Sequence, residues 1–298
     1  MTSPIPVIFN PIAGRGRLLR ERRPLVEAAR ELGVGLEWLP TEAPAHATEL
    51  ARRAAAEGRP LVLAFGGDGT YNEVARGLLG SSTALGVLPG GTTSVLAYEL
   101  NIPRPAAPAL ASLLDGEDRP MSVGRTDHGD VFLLMLSVGP DAVILDHLPG
   151  WLKRYGGKTG ITFQAVLEFL RGGLPRLRVT SGPWQSDGGW VILGNAKCYG
   201  GPYHAAPAAD PFAEDFELVL QRGVGRVAAV PFFFSIPSER HLARRDVIRR
   251  RVDRIRLEVV AGKNPVPYQI DGDPVGYLPV EAWIDPRRLK VRVPAASR

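Results

Sequence analysis

Leu61-Val62-Leu63-Ala64-Phe65-Gly66-Gly67-Asp68-Gly69-Thr70 is the stretch that decides how this chain is read. Five uninterrupted apolar residues suit a strand buried on both faces, as in a parallel sheet covered by helices. Three glycines in the next four positions open the loop, so that backbone N–H groups can approach a bulky anion. A helix predicted from Tyr71 to Leu79 would add its N-terminal partial positive charge. Thr70 can cap that helix or donate to a phosphate oxygen. Asp68 can hold a Mg2+ ion carried by a nucleotide, or accept a proton from an attacking hydroxyl. The same residues also fit a plain strand-to-helix turn in which Asp68 and Thr70 only cap.

Outward from this segment the pattern repeats. Upstream lie a strand at Pro6–Phe9, a helix from Leu18 to Gly33, a strand at Val34–Leu39 and a helix from Ala45 to Glu57. Downstream, strand Ala84–Leu88 runs into Pro89-Gly90-Gly91-Thr92-Thr93 and a helix from Ser94 to Leu100. Alternating strands and helices predict a parallel α/β sheet. A third loop, Asn10-Pro11-Ile12-Ala13-Gly14-Arg15-Gly16-Arg17, adds arginines suited to phosphate. In a parallel sheet all three loops leave at the carboxyl edge, where open α/β folds bind ligands. Neither a P-loop signature nor a Gly-x-Gly-x-x-Gly after the first strand is present, which disfavours P-loop ATPases and dinucleotide dehydrogenases.

Past Pro103 the pattern changes. After a short helix at Ala106–Leu114, strand-like runs fall at Met121–Arg125, Val131–Val138, Arg176–Thr180, Trp190–Asn195, Phe216–Gln221 and Ile255–Val260, with one helix predicted at Gly160–Arg171. Residues 121–285 therefore read as a second, mainly antiparallel domain. At 298 residues the chain is long enough for two domains. Hydrophobic residues make up 45% and charged residues 22%, and no apolar run approaches the roughly 20 residues of a membrane span. A single cysteine, Cys198, excludes an internal disulfide and suggests a reducing compartment. The net charge of +5 suits an anionic partner, although an arginine-rich composition explains it equally well. The five histidines lack metal-ligand spacing.

Taken together, Asn10-Pro11…Gly14, Gly66-Gly67-Asp68-Gly69-Thr70, Leu88-Pro89-Gly90-Gly91-Thr92 and Asp271-Gly272-Asp273 resemble the bacterial diacylglycerol kinase and sphingosine kinase-like lipid kinases. The central five residues are shared with NAD kinases and 6-phosphofructokinases, and the later segments narrow the resemblance to the lipid kinases. It implies a nucleotide-binding domain of residues 1–120 plus 286–298, closed by a strand at Leu289–Pro294, and a β-sandwich acceptor domain, with the nucleotide in a cleft between them. Adenine nucleotide contacts then fall on Asn10, Thr41, Gly66, Gly67, Asp68, Gly69, Thr70, Asn72, Gly91 and Thr92. Asp271 matches the proposed general base, with Asp68 as its rival, and Asp215 matches a metal position. Taken without the resemblance, Asp271-Gly272 also fits an ordinary surface turn.

The resemblance further implies ATP as co-substrate, Mg2+, a lipid acceptor at an anionic membrane surface, and a cytoplasmic protein attached peripherally to the inner face of the membrane. No nucleic-acid module accompanies the charge, and a homodimer stays among the open arrangements. An NAD kinase-like phosphotransferase and an inactive lipid- or nucleotide-binding regulator are the alternatives. Three departures stand out: Ser94 where many members carry Asn, Asp273 where Glu is usual, and Phe216 where Gly is usual. Pro149–Tyr155 and the arginines between Arg240 and Arg256 are candidate membrane contacts. Each fits equally a packed loop or a solvated face.

Overall fold

The computed structural model describes residues 3–11, 17–91, 93–147, 175–261 and 265–295. Gly14 to Gly16, Thr92, Pro149–Tyr155 and the helix predicted at Gly160–Arg171 lie outside the described residues. The chain divides into two compact units, one of Met1–Val123, Gly200–Pro202 and Asp285–Arg298, the other of Gly124–Tyr199 and Tyr203–Ile284.

Unit 1 is built on strands β1 (Ile5–Phe9), β2 (Leu36–Pro40), β3 (Leu61–Gly66), β4 (Ala84–Pro89) and β5 (Glu117–Met121) with the last strand of the chain, Leu289–Val293. Their order is β2-β1-β3-β4-Leu289–Val293-β5. All neighbours run parallel except β5, which is antiparallel to the last strand. Every residue of β3 and β4 is buried, as an apolar strand between two helical layers requires. The helices are α1 (Arg17–Glu31), α2 (His46–Ala56), α3 (Asp68–Leu78), α4 (Val95–Glu99) and α5 (Ala106–Leu114). α2 packs on α3 and α1 on α5. The first contact needs Gly77, because a Cβ there would collide with the Thr48 carbonyl and meet the Ala51 side chain at 2.7 Å.

Unit 2 is a sandwich of two six-stranded antiparallel sheets. One has the order Trp184–Gly188 (β10), Arg176–Ser181 (β9), Arg254–Ala261 (β16), Val280–Ile284 (β19), Gly124–Thr126 (β6), Val131–Phe132 (β7). The other has Val247–Val252 (β15), Phe216–Gln221 (β14), Trp190–Gly194 (β11), Met135–Val138 (β8), Pro267–Ile270 (β17), Asp273–Tyr277 (β18). A short hairpin, β12 (Cys198–Tyr199) and β13 (Tyr203–His204), stands apart. The core obeys the period of two expected of strands: Leu177 and Val179 with Ile255 and Leu257 on one sheet meet Val191 and Leu193 with Phe216, Leu218 and Leu220 on the other. Phe132 stacks on Phe216 across the interface at 5.3 Å. The opposite side of β11 and β14 is apolar too: Trp190, Ile192 and Val219 pack with Ala229 and Phe232 of helix α7 (Arg226–Ser235). A further helix, α6 (Pro140–Asp146), follows β8. This is the expected class, an α/β domain with a mostly parallel sheet joined to an antiparallel β-sandwich.

Candidate active site

Register places the glycine loops. Phe9 lies opposite Pro40 and Phe65, and Gly66 opposite Pro89. The residues that follow these strands, Asn10, Thr41, Gly67 and Gly90, therefore emerge together at the carboxyl edge of the sheet. The Thr41 N–H closes onto the Phe9 carbonyl at 2.8 Å. Two loops touch backbone to backbone: a Cβ on Gly91 would sit 2.6 Å from the Gly67 Cα, closer than real side chains approach. The Gly66 carbonyl accepts the N–H groups of Gly90 (2.8 Å) and Gly91 (2.6 Å). Thr70 folds back over Gly66, where a Cβ would meet its Oγ1 at 2.6 Å. No side chain caps α3, so the helix itself offers no partner to its first-turn N–H groups. Asn72 lies farther along α3 and accepts a hydrogen bond from Arg76 Nε at 2.8 Å.

Asp68 has a structural task that its local sequence conceals. Its carboxylate accepts the N–H groups of Val95 (2.9 Å) and Leu96 (3.0 Å), capping α4 from 27 residues away. Burial pushes its carboxyl above the usual range, opposed by those two bonds and by the charge of Arg104. Ser94, where the cap residue would sit, has φ +49 and makes no capping bond. Its buried hydroxyl lies 3.1 Å from the Tyr71 hydroxyl instead. Tyr71 in turn donates to the Gly66 carbonyl at 2.6 Å and lies 3.1 Å from the Leu88 carbonyl. Burial drives its phenol far above its ordinary value, so it remains a donor. Arg104 pins the second loop, donating to the carbonyls of Gly91 (3.1 Å) and Thr93 (3.0 Å). Tyr71 and Arg104 are the residues sequence reasoning missed. A tyrosine after Gly-Thr reads as helix core, and Arg104 acts from 11 to 13 residues away, across α4.

Asp271 occupies a tight turn between β17 and β18 with φ +52, followed by Gly272 at φ +92. Aspartate tolerates this left-handed region better than most residues. Its carboxylate accepts three consecutive backbone N–H groups, from Leu133 (2.8 Å), Leu134 (2.9 Å) and Met135 (3.0 Å). Asn195 holds the other side of that segment. Its Nδ2 donates to the Leu133 carbonyl at 2.8 Å, and the N–H groups of Asn195 and Ala196 bond the Leu134 carbonyl. The pair explains why the apolar run Val131–Val138 is two strands rather than one: Leu133 and Leu134 direct their N–H groups to a carboxylate. A Gln269 bridge, with Oε1 accepting the Gly272 N–H at 2.8 Å and Nε2 lying 3.2 Å from Asp141, fixes the turn from behind.

Comparison with known proteins identifies the family of both parts of the chain. The diacylglycerol kinase catalytic domain family matches residues 4–126, and the YegS C-terminal NAD kinase beta sandwich-like domain family matches residues 160–293. A probable lipid kinase YegS-like protein of Chromohalobacter salexigens is 34% identical over 70% of this chain and 69% of its own length. This chain belongs to the YegS-like and diacylglycerol kinase family of lipid kinases. A diacylglycerol kinase of Bacillus subtilis is 26% identical over 92% of this chain and 91% of its own. A crystal structure of a diacylglycerol kinase from Bacillus anthracis str. Sterne superposes with a TM-score of 0.70 at 17% identity, covering 97% of this chain and 96% of that one. Another crystal structure from the same organism reaches 0.80 at 19% identity, covering 97% and 95%.

Asp215, the residue matched to a metal position, lies in an ion pair. Asp215 pairs with the Arg251 guanidinium through both carboxylate oxygens, with Nε to Oδ2 at 2.8 Å. Among the described residues no group of three or more His, Cys, Asp or Glu side chains is arranged to hold a metal. The arginine-rich stretch is likewise committed in large part to carboxylates: Arg244 to Asp246, Arg249 to Glu217, Arg254 to Glu281 and Arg256 to Glu258. Arg250 lies over the Trp184 ring at 5.0 Å. Of these ion pairs, Arg249–Glu217 and Arg254–Glu281 cross between neighbouring strands. No helix among the described residues is long and apolar enough to cross a membrane.

Proposed function

We propose that this lipid kinase transfers the γ-phosphoryl group of ATP to the hydroxyl of diacylglycerol or a related long-chain lipid alcohol. The observation that carries the reading is the backbone contact of Gly67 with Gly91, which brings two loops together at one sheet edge beside the first-turn N–H groups of α3, a helix no side chain caps. Backbone N–H groups at a helix N-terminus suit phosphate oxygens, and Asn10, Thr41, Gly66, Gly69, Thr70 and Gly91 line or adjoin that edge. Asp271 serves as general base. The acceptor oxygen forms a bond to the γ-phosphorus, its proton passes to the Asp271 carboxylate, and the bond to the β–γ bridging oxygen breaks with ADP as leaving group. Three amides orient the carboxylate for this step. Asp68 organises the loops through α4 rather than taking the proton.

Among the described residues no three His, Cys, Asp or Glu side chains are grouped to hold a metal, and Asp215 is paired with Arg251. Mg2+ then enters as part of the nucleotide substrate.

Labelled ATP offered with a panel of lipid alcohols, and with NAD as a contrasting acceptor, tests the reading. Label should appear in a lipid and not in NAD. Asp271→Asn should lose transfer while far-UV dichroism stays unchanged. Wild-type turnover in that variant removes Asp271 from its role, and labelling of NAD alone removes the lipid acceptor.

A further inference from the structure

Unit 2 carries an open cleft of about 760 Å³ to which neither the Asp271 turn nor its partners contribute. Four arginines line it: Arg176 and Arg178 from β9, Arg222 just after β14, and Arg245 before β15. Two carboxylates accompany them. Asp187 lies between Arg176 (3.0 Å) and Arg178 (3.1 Å), and the Arg178 hydrogen bond holds its carboxyl below the usual range. Asp246 is already bonded twice by Arg244, a guanidinium outside the lining, at 2.8 and 2.9 Å. Positive charge therefore exceeds negative in the cleft, and the excess rests on the exposed Arg222 and Arg245.

Concave clusters of guanidinium groups favour phosphate, because each planar fork can donate two parallel N–H bonds to its oxygens. We propose that this cleft binds a phosphate group, as carried by a phospholipid headgroup or by a free phosphate. The chain leaving the cleft at Val224 enters α7, where Phe233 and Phe234 are 49% and 74% exposed and Val224 itself 48%. Aromatic side chains of this kind partition into the membrane interface, which makes a lipid arm of the test worthwhile. The proposal is independent of the kinase reading, since it concerns binding without ATP or acceptor.

Two arms distinguish the sources. Inorganic phosphate is titrated calorimetrically, and phosphatidylcholine vesicles with or without phosphatidylglycerol are used in co-sedimentation. The wild-type chain should bind in at least one arm. The double variant Arg222→Ala/Arg245→Ala should weaken that binding about thirty-fold, following the roughly 1 kcal/mol that each such cation contributes near an anionic surface. Its thermal midpoint should stay unchanged, because both side chains are exposed. A control that removes two exposed arginines of unit 1, Arg30→Ala/Arg52→Ala, should lose no more than a few-fold. Asp187→Asn, which removes the competing carboxylate, should bind more tightly. Absence of binding in both arms, equal losses in the two double variants, or weaker binding by Asp187→Asn overturns the proposal.

Discussion

Replacing Asp68 by alanine separates its structural task from a chemical one. The side chain accepts two N–H groups at the first turn of α4, at 2.9 and 3.0 Å. Loss of a helix cap costs about 1 kcal/mol, and leaving a second, partly buried N–H without a partner costs about as much again. Relief of carboxylate burial, the largest influence on its raised pKa, works in the opposite direction. The net cost should be about 1–2 kcal/mol, or roughly 3–6 °C in thermal midpoint. Amide exchange at Val95 and Leu96 should accelerate more than elsewhere in unit 1. Asp68→Asn keeps one acceptor and removes the buried charge, so it should stay within about 1 kcal/mol of the parent. The pH dependence carries a sign. Because the folded carboxyl titrates above its unfolded value, the unfolded chain releases the proton first as pH rises. Wild-type stability should fall through that window, and Asp68→Asn should lack this component. Unchanged exchange at Val95 and Leu96 in Asp68→Ala would refute the capping role.

Other predictions follow the same geometry. Tyr71→Phe removes the hydroxyl that joins Gly66 to Ser94 and should cost about 1–2 kcal/mol in urea unfolding. Gly91→Ala forces a Cβ toward the Gly67 Cα and should cost about 1–3 kcal/mol, with a marked rise in the KM for ATP if the loops hold phosphate. Asp141→Asn should raise the thermal midpoint at neutral pH and flatten its decline above the ordinary carboxylate range, because burial pushes the Asp141 pKa up. Asp215→Asn should leave the Mg2+ dependence of phosphoryl transfer unchanged, since its carboxylate is engaged by Arg251.

The parts of the fold governed by local pattern were legible in the sequence. The run Leu61–Phe65 is a strand because nothing in it tolerates water, and Gly66 to Gly69 opens a helix because a parallel strand must turn there. Boundaries slipped where a distant group intervened. α3 begins at Asp68 rather than Tyr71, since the Asp68 side chain is drawn to α4 and leaves its backbone free to start the helix. The sequence pattern shows β9 but not its partner β10, and neither β17 nor β18. β18 is the edge strand of its sheet and carries Pro274 and Gly276, residues that lower strand propensity and signal turns. Val247–Val252 hides under a charged reading, because Arg249 and Arg251 find carboxylates across the ladder in Glu217 and Asp215. Asp271 could be singled out only through family resemblance. Its three amide partners lie more than 130 residues away, and no local spacing announces them.

Crystals grown with Mg2+ and a non-hydrolysable ATP analogue test the central claim most directly. Phosphate oxygens should lie within hydrogen-bond reach of the backbone amides between Gly67 and Thr70. A fully occupied nucleotide whose phosphates sit elsewhere, with those amides facing only water, would contradict the account.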